Sequence, residues 1–258
     1  MKKLINLTSI LIAAVFFSSC TKDNYVVGGK ANESNKVNLT TYEFLKSFEG
    51  TTKTARLIER AGMVGAVNGD VTVFAPSNYA VNRYLQRKNN RLLRLNPASK
   101  LMTVEDIPVE DLKQLGMYIV DKKVWSATIP LGGIYLPTHN PGDTIRVTIE
   151  ESNAEPGAAW DGGGEPGQGY QYSNFMQQRP QKVTVQFKRG AKWEMTNNER
   201  AALGSDNVEC DQVYKMYISD VLTNTGAVHV LYSGDNNYND HNYYHTLFFF
   251  GTRADDKL

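Results

Sequence analysis

Thr72-Val73-Phe74-Ala75-Pro76-Ser77-Asn78-Tyr79-Ala80 packs a strand, a stop and a helix start into nine residues. Val71 to Phe74 is an apolar, β-branched run with Phe74 as a core plug, and Pro76 ends the strand because it has no N–H to give to a ladder. Ser77 or Asn78 then caps a helix whose apolar face is Val81, Tyr84 and Leu85. A second stretch, Asn224-Thr225-Gly226-Ala227-Val228-His229-Val230-Leu231, reads as a turn feeding another strand. His229 falls between Val228 and Val230 and points to the opposite strand face from them.

Upstream of the first stretch, Thr40-x-x-Glu43 is a capping box followed by Tyr42, Leu45 and Phe48 at helical spacing. A second helix is expected from about Thr52 through Leu57, Ile58 and Ala61 to Gly62, a residue that tolerates the left-handed C′ conformation. Pro108 suits the first turn of a helix from Val109 to Leu115 ended by Gly116. Beyond it the period changes to two: Ile145, Val147 and Ile149 alternate with polar residues, as do Val183, Val185 and Phe187. Asn140-Pro141-Gly142-Asp143 and Thr223 to Gly226 are turn signals, and Val213 to Leu222, Ala227 to Tyr232 and Thr246 to Gly251 are further strand candidates. Early helices followed by many strands predict an α+β domain with a mainly antiparallel sheet.

The two opening stretches resemble the two signature boxes of the fasciclin domain, in the same order and preceded by the same kind of helix end at Leu57 to Gly62. The resemblance runs from about Leu39 to Tyr232. It implies a β-wedge with packed helices, found in secreted or membrane-attached adhesion proteins and generally without catalysis. It also implies that Phe74, Pro76, Ser77, Asn78 and His229 are structural motif residues. The family often carries a Tyr-His pair between the boxes, whereas here Tyr118 is followed by Ile119. An insertion at about 153–180 and a divergent segment at 233–258 have no clear family counterpart.

The chain has 258 residues, 41% hydrophobic and 21% charged, enough apolar material for a core and too mixed for a disordered tail. Lys plus Arg total 28 against 27 Asp plus Glu, so the chain as a whole lacks the basic field that nucleic-acid binding needs. Two cysteines, Cys20 and Cys210, build neither a disulfide framework nor a four-thiolate zinc site.

Residues 1–19 read as a signal peptide, with Lys2 and Lys3 before an apolar run from Leu4 to Phe17 that is shorter than the roughly 20 residues a spanning helix needs. Phe17-Ser18-Ser19-Cys20 resembles a bacterial lipobox, making Cys20 the expected lipidation site, carrying fatty acyl groups such as palmitate. Thr21-Lys22-Asp23-Asn24 is similar to the export signal of surface lipoproteins of Bacteroidota. The expectation is an outer-membrane lipoprotein facing the cell exterior, with residues 20–38 as the lipidated cysteine and a flexible tether, and 39–258 as one fasciclin-like domain.

Chemistry-bearing patterns are weak. Gly162-x-Gly164-x-x-Gly167 matches a dinucleotide fingerprint but lacks the flanking strand and helix. His241 and His245 are four apart without a helix or the catalytic Glu of a zinc protease. Asp235, Asn237 and Asn239 alternate like a calcium loop, but Asp240 and Thr246 stand where Gly and Glu belong. Cys210 sits between Glu209 and Asp211, surroundings that do not activate a thiol. No catalytic residue, metal or cofactor is expected.

The candidate ligand-binding residues are Trp160, Tyr170, Tyr172 and Phe175, aromatics among Gly, Gln and Asn that suit a sugar or a partner protein. A second aromatic group is Tyr238, Tyr243 and Tyr244. The favoured expectation is a non-enzymatic surface lipoprotein for adhesion or extracellular recognition. The alternative is an accessory glycan-binding subunit working with an outer-membrane transporter.

Overall fold

The first strand of the sheet, β1 (Thr72–Ala75), is buried along its whole length. That fits its sequence, which alternates nothing and carries apolar or small residues on both faces. The structure, a computed structural model, describes residues 35–130, 132–151, 181–188, 193, 211–233 and 245–249. Around β1 the described strands are β2 (Ile119–Val120), β3 (Ile134–Pro137), β4 (Thr144–Glu151), β5 (Gln181–Phe187), β6 (Gln212–Leu222) and β7 (Ala227–Leu231). They form a seven-stranded sheet in the order β2-β1-β7-β6-β5-β4-β3. All neighbours are antiparallel except β1 and β7, which run parallel with Phe74 opposite His229.

The sheet curls until its two edges meet. Val120 bridges Thr138, and the His139 N–H donates to the carbonyls of Gly116 and Ile119. The His139 ring reaches Asp121 at 2.6 Å across the same seam. Edges that find each other in this way leave few unpaired ladder groups for another chain to exploit.

The helices pack against this sheet. Helix α1 (Thr41–Ser47) carries the expected capping box, with Thr40 accepting from the Glu43 N–H and Glu43 accepting from the Thr40 N–H. Its first turn is bolted to the β6–β7 turn, since Thr41 bonds Thr223 at 2.8 Å and Thr225 at 3.1 Å through hydroxyls. Helix α2 (Thr52–Arg60) has no capping side chain of its own at Thr51. The missing acceptor comes from Asn78, whose Oδ1 takes the Lys53 N–H at 2.8 Å while its amide donates to Glu49 O and Thr52 Oγ1. After the short α3 (Val64–Val67), Ser77 caps α4 (Asn78–Leu95) by accepting from the Ala80 N–H. Of the two cap candidates, Ser77 caps its own helix and Asn78 caps another.

Several sequence expectations need correction. The helix expected over Val109 to Leu115 is a single α turn, α5 (Val109–Leu112), running into a 3₁₀ stretch at Lys113–Tyr118. Gly116 lies inside that stretch and serves close approach: a Cβ there would sit 2.4 Å from the Asn140 side-chain oxygen. The strand expected at Thr246 to Gly251 is a 3₁₀ turn, Leu247–Phe249, with φ of 54° at Phe248 and 56° at Phe249. Its apolar run does not continue as a strand because positive φ at two successive residues lies outside the extended region and turns the chain, with Leu247 and Phe249 both buried. At the end of the stretch expected as a tether, Lys36 bridges Leu222, and just after it the Asn224 N–H bonds Leu39 O. These two residues give partners to the backbone at the end of β6.

Asn140 to Asp143 does form the β3–β4 turn, with Gly142 at φ 85° and the Asp143 N–H donating to Asn140 O at 3.1 Å. The turn before β7 is tighter still. A Cβ on Gly226 would meet the Val71 carbonyl oxygen at 2.4 Å and that of Gly69 at 3.2 Å. Both contacts are backbone, so neither can swing aside. Gly226→Ala is expected to lower the unfolding free energy by about 1–3 kcal/mol, read from urea denaturation, whereas Gly65→Ala, which meets nothing within 4 Å, leaves it near wild type.

Candidate functional site

The two signature stretches meet in space. β1 and β7 lie side by side in the register Thr72 with Ala227, Val73 with Val228, Phe74 with His229 and Ala75 with Val230. Because β7 is flanked by β1 and β6 and covered on both faces, all five of its residues are buried. The Phe74 and His229 rings stack with centroids 5.2 Å apart.

His229 is fully buried, and both of its nitrogens are used. Nε2 donates to Val124 O at 2.9 Å and Nδ1 accepts from the Asp220 N–H at 3.2 Å, which sets the neutral Nε2–H tautomer. Burial is the main cause that holds its pKa below the usual histidine value. The Asp220 N–H can reach inward only because β6 is irregular there, with register shifts between Met216 and Val221 and a φ of 62° at Asp220. Thr72 locks the same neighbourhood by donating to Lys122 O at 2.6 Å and accepting from the Val124 N–H at 2.8 Å.

Box residues beyond the strand are equally committed. Thr54 donates to Pro76 O at 2.7 Å, and Ser77 Oγ donates to Ser233 Oγ at 2.8 Å. This constellation has the chemistry of a structural joint: an imidazole held neutral between backbone partners and hydroxyls bonded to carbonyls and one another.

A second polar pair lies deeper in the curl of the sheet. Tyr118 is fully buried and its hydroxyl meets His245 Nε2 at 2.9 Å while accepting from the Phe248 N–H at 3.0 Å. Tyr118 is followed directly by Ile119 and not by a histidine, yet a histidine from the distant C-terminal segment reaches the tyrosine. No local spacing could signal that contact. His245 sits edge-on to Tyr118, Tyr214 and Phe249, at 5.4, 4.9 and 5.8 Å between ring centres. Its Nδ1 has no hydrogen-bond partner among the described residues. Burial alone lowers its pKa to about 3, and burial likewise keeps the Tyr118 phenol neutral by raising its pKa well above the ordinary value.

The expected ligand-binding residues Trp160, Tyr170, Tyr172 and Phe175 lie outside the described residues, as do Cys20, Cys210, His241, Tyr238, Tyr243, Tyr244 and the Gly162 to Gly167 pattern. Among the described residues no group of three or more His, Cys, Asp or Glu is placed to hold a metal, and no helix is long and apolar enough to cross a membrane.

Acid loosens this joint in a definite direction. His245 is neutral when folded down to about pH 3 but takes a proton near 6.5 once released, so between those values the unfolded chain binds more protons. Stability is therefore full above pH 6.5 and falls as pH drops toward 3, with His229 acting in the same sense. His245→Phe is expected to flatten, without abolishing, the loss of urea midpoint between neutral pH and about pH 5; an unchanged slope counts against the assignment.

Residues 49–155 match the family model of the fasciclin domain. The match includes the first signature stretch and ends before the second, which the structure brings beside it through the β1–β7 pairing. No curated protein matches the chain. Among solved structures, a FAS1 domain pair from the insect cell adhesion molecule Fasciclin I matches at 14% identity with a TM-score of 0.31, over 74% of this chain and 42% of that one. The chain thus spans less than half the length of that neighbour. Residues 49–155 are similar to the fasciclin domain, and the α+β fold that contains them is fasciclin-like.

Proposed function

We propose that this chain is a non-enzymatic lipoprotein that serves adhesion or extracellular recognition, tethered through Cys20 to an outer membrane and facing the exterior. The observation that carries the proposal is the match of residues 49–155 to the fasciclin domain, a type found in adhesion and extracellular proteins. Nothing among the described residues points to catalysis. The buried histidines His229 and His245 are engaged in the core, by backbone groups and by a tyrosine, and both are held neutral by burial. A catalytic base needs access to substrate, which these two residues lack.

The N-terminal sequence supports the location. A basic start, a short apolar run and Cys20 in a lipobox-like setting are what a lipidated, non-spanning protein requires. Glycan capture alongside a transporter is the second reading. It finds support in Tyr135, an exposed tyrosine of β3 with Trp193 edge-on at 5.3 Å and the Arg146 guanidinium over its ring at 5.6 Å.

Protease added to intact cells is expected to degrade the domain while a periplasmic control survives, and Cys20→Ser is expected to release the protein from the membrane fraction. Protection of the domain until lysis would refute the outward orientation. Pull-down of a polysaccharide together with a transporter would favour the second reading over adhesion.

A further inference from the structure

At the end of the sheet where β3 turns into β4 and β5 finishes lies a cleft of about 170 Å³, open to solvent on one side. An apolar cavity of about 150 Å³ holds a benzene ring, so this space takes one apolar group of side-chain size. Its inner wall comes from distant parts of the chain. Ile145 and Phe187 stand opposite one another on β4 and β5, Met117 comes from the 3₁₀ stretch, and Phe249 from the C-terminal turn. Phe187 and Phe249 meet edge-on with ring centres 5.3 Å apart, which makes the aromatic part of the wall continuous. Phe249 is held there at a φ of 56°, which a bulky residue keeps only where its surroundings over-determine it.

The mouth of the cleft carries opposite charges that do not neutralise each other. Lys188, half-buried, follows the last residue of β5, and Asp143, exposed, precedes the first residue of β4. Because Ile145 faces Phe187 in the antiparallel register, Lys188 comes level with Thr144, and Asp143 lies one residue further along. No ion pair joins Lys188 to Asp143, and neither side chain has a hydrogen-bond or ion-pair partner among the described residues. Charges elsewhere on the surface do find partners: Arg56 pairs with Glu59 and Glu105, and Lys113 with Glu110.

A few convergent polar groups over an apolar wall are the ordinary make-up of a small-molecule site. Here the wall asks for an apolar body, the Lys188 ammonium for a carboxylate, and the Asp143 carboxylate for a cation. A purely anionic ligand would meet Asp143 as a like charge, and a purely cationic one would meet Lys188 in the same way. We propose that the cleft binds a small zwitterion with an apolar side chain, the chemistry of a free apolar α-amino acid. The side chain lies against Phe187 and Phe249, while the ammonium and carboxylate stay at the open mouth, where they keep part of their hydration. Such binding requires neither adhesion nor a membrane anchor, so it stands independently of the proposed function.

L-Phenylalanine is the probe, with phenylpropionate, which lacks the ammonium, and phenylethylamine, which lacks the carboxylate, as its analogues. Saturation-transfer NMR from the full chain to the ring protons of each compound reads binding, and titration gives Kd, expected on the order of 1 mM or tighter for a ligand of this size. L-Phenylalanine is expected to bind about tenfold more tightly than either analogue. Asp143→Asn is expected to remove its advantage over phenylpropionate, and Lys188→Gln its advantage over phenylethylamine. Both positions lie outside the buried core, so the urea midpoint of each variant is expected near wild type. Absence of transfer to L-phenylalanine, equal binding of the three compounds, tighter binding of either analogue, or a preference that either variant leaves unchanged overturns the proposal.

Discussion

The parallel pairing of β1 with β7 is the constraint on which the rest of the domain depends. It joins two segments far apart in the chain, so the entropy of closing that long loop must be offset by what the pair buries. Phe74 and the strand apolar residues supply the burial, and His229 supplies direction. An imidazole between two strands is costly unless both nitrogens are met, and the partners Val124 and Asp220 come from two other segments. One buried ring therefore sets the path after β2 and the irregular geometry of β6.

The C-terminal turn at Leu247–Phe249 completes the interior in a similar way. Tyr118 would be a buried hydroxyl in an apolar cage without His245 and the Phe248 N–H. Two consecutive phenylalanines adopt positive φ in that turn, a conformation that bulky side chains rarely adopt and that persists only when surrounding contacts over-determine it. Aromatic contacts to Tyr84, Tyr118, Phe187 and Tyr214 supply those contacts. The sheet's curl and the plug that fills it are thus one packing problem.

This division of labour bears on function. Histidines and hydroxyls in the interior hold strands together, which leaves recognition to the surface. Among the described residues, large exposed apolar side chains include Leu95 and Leu101 at the end of α4 and Tyr135 and Tyr217 on the sheet. They differ in chemistry, one aliphatic and the other aromatic, so they suit different partners.

Local features were readable from residue order alone because they involve neighbours within one turn or one hairpin: the Thr40–Glu43 box, the Ser77 cap, the Asn140–Asp143 turn and the alternating strands from Ile145 and Val183. The α+β class followed from those periods, and the fasciclin likeness from two short boxes. Three things were not readable. Asn78 caps α2 and not its own helix, Gly116 and Gly226 are glycine because another segment passes too close for a Cβ, and His245 partners Tyr118 across most of the domain. The reason is physical: hydrogen-bond periodicity and capping are fixed by atoms a few bonds apart, whereas close approach and buried polar satisfaction depend on which distant segments the curled sheet brings together.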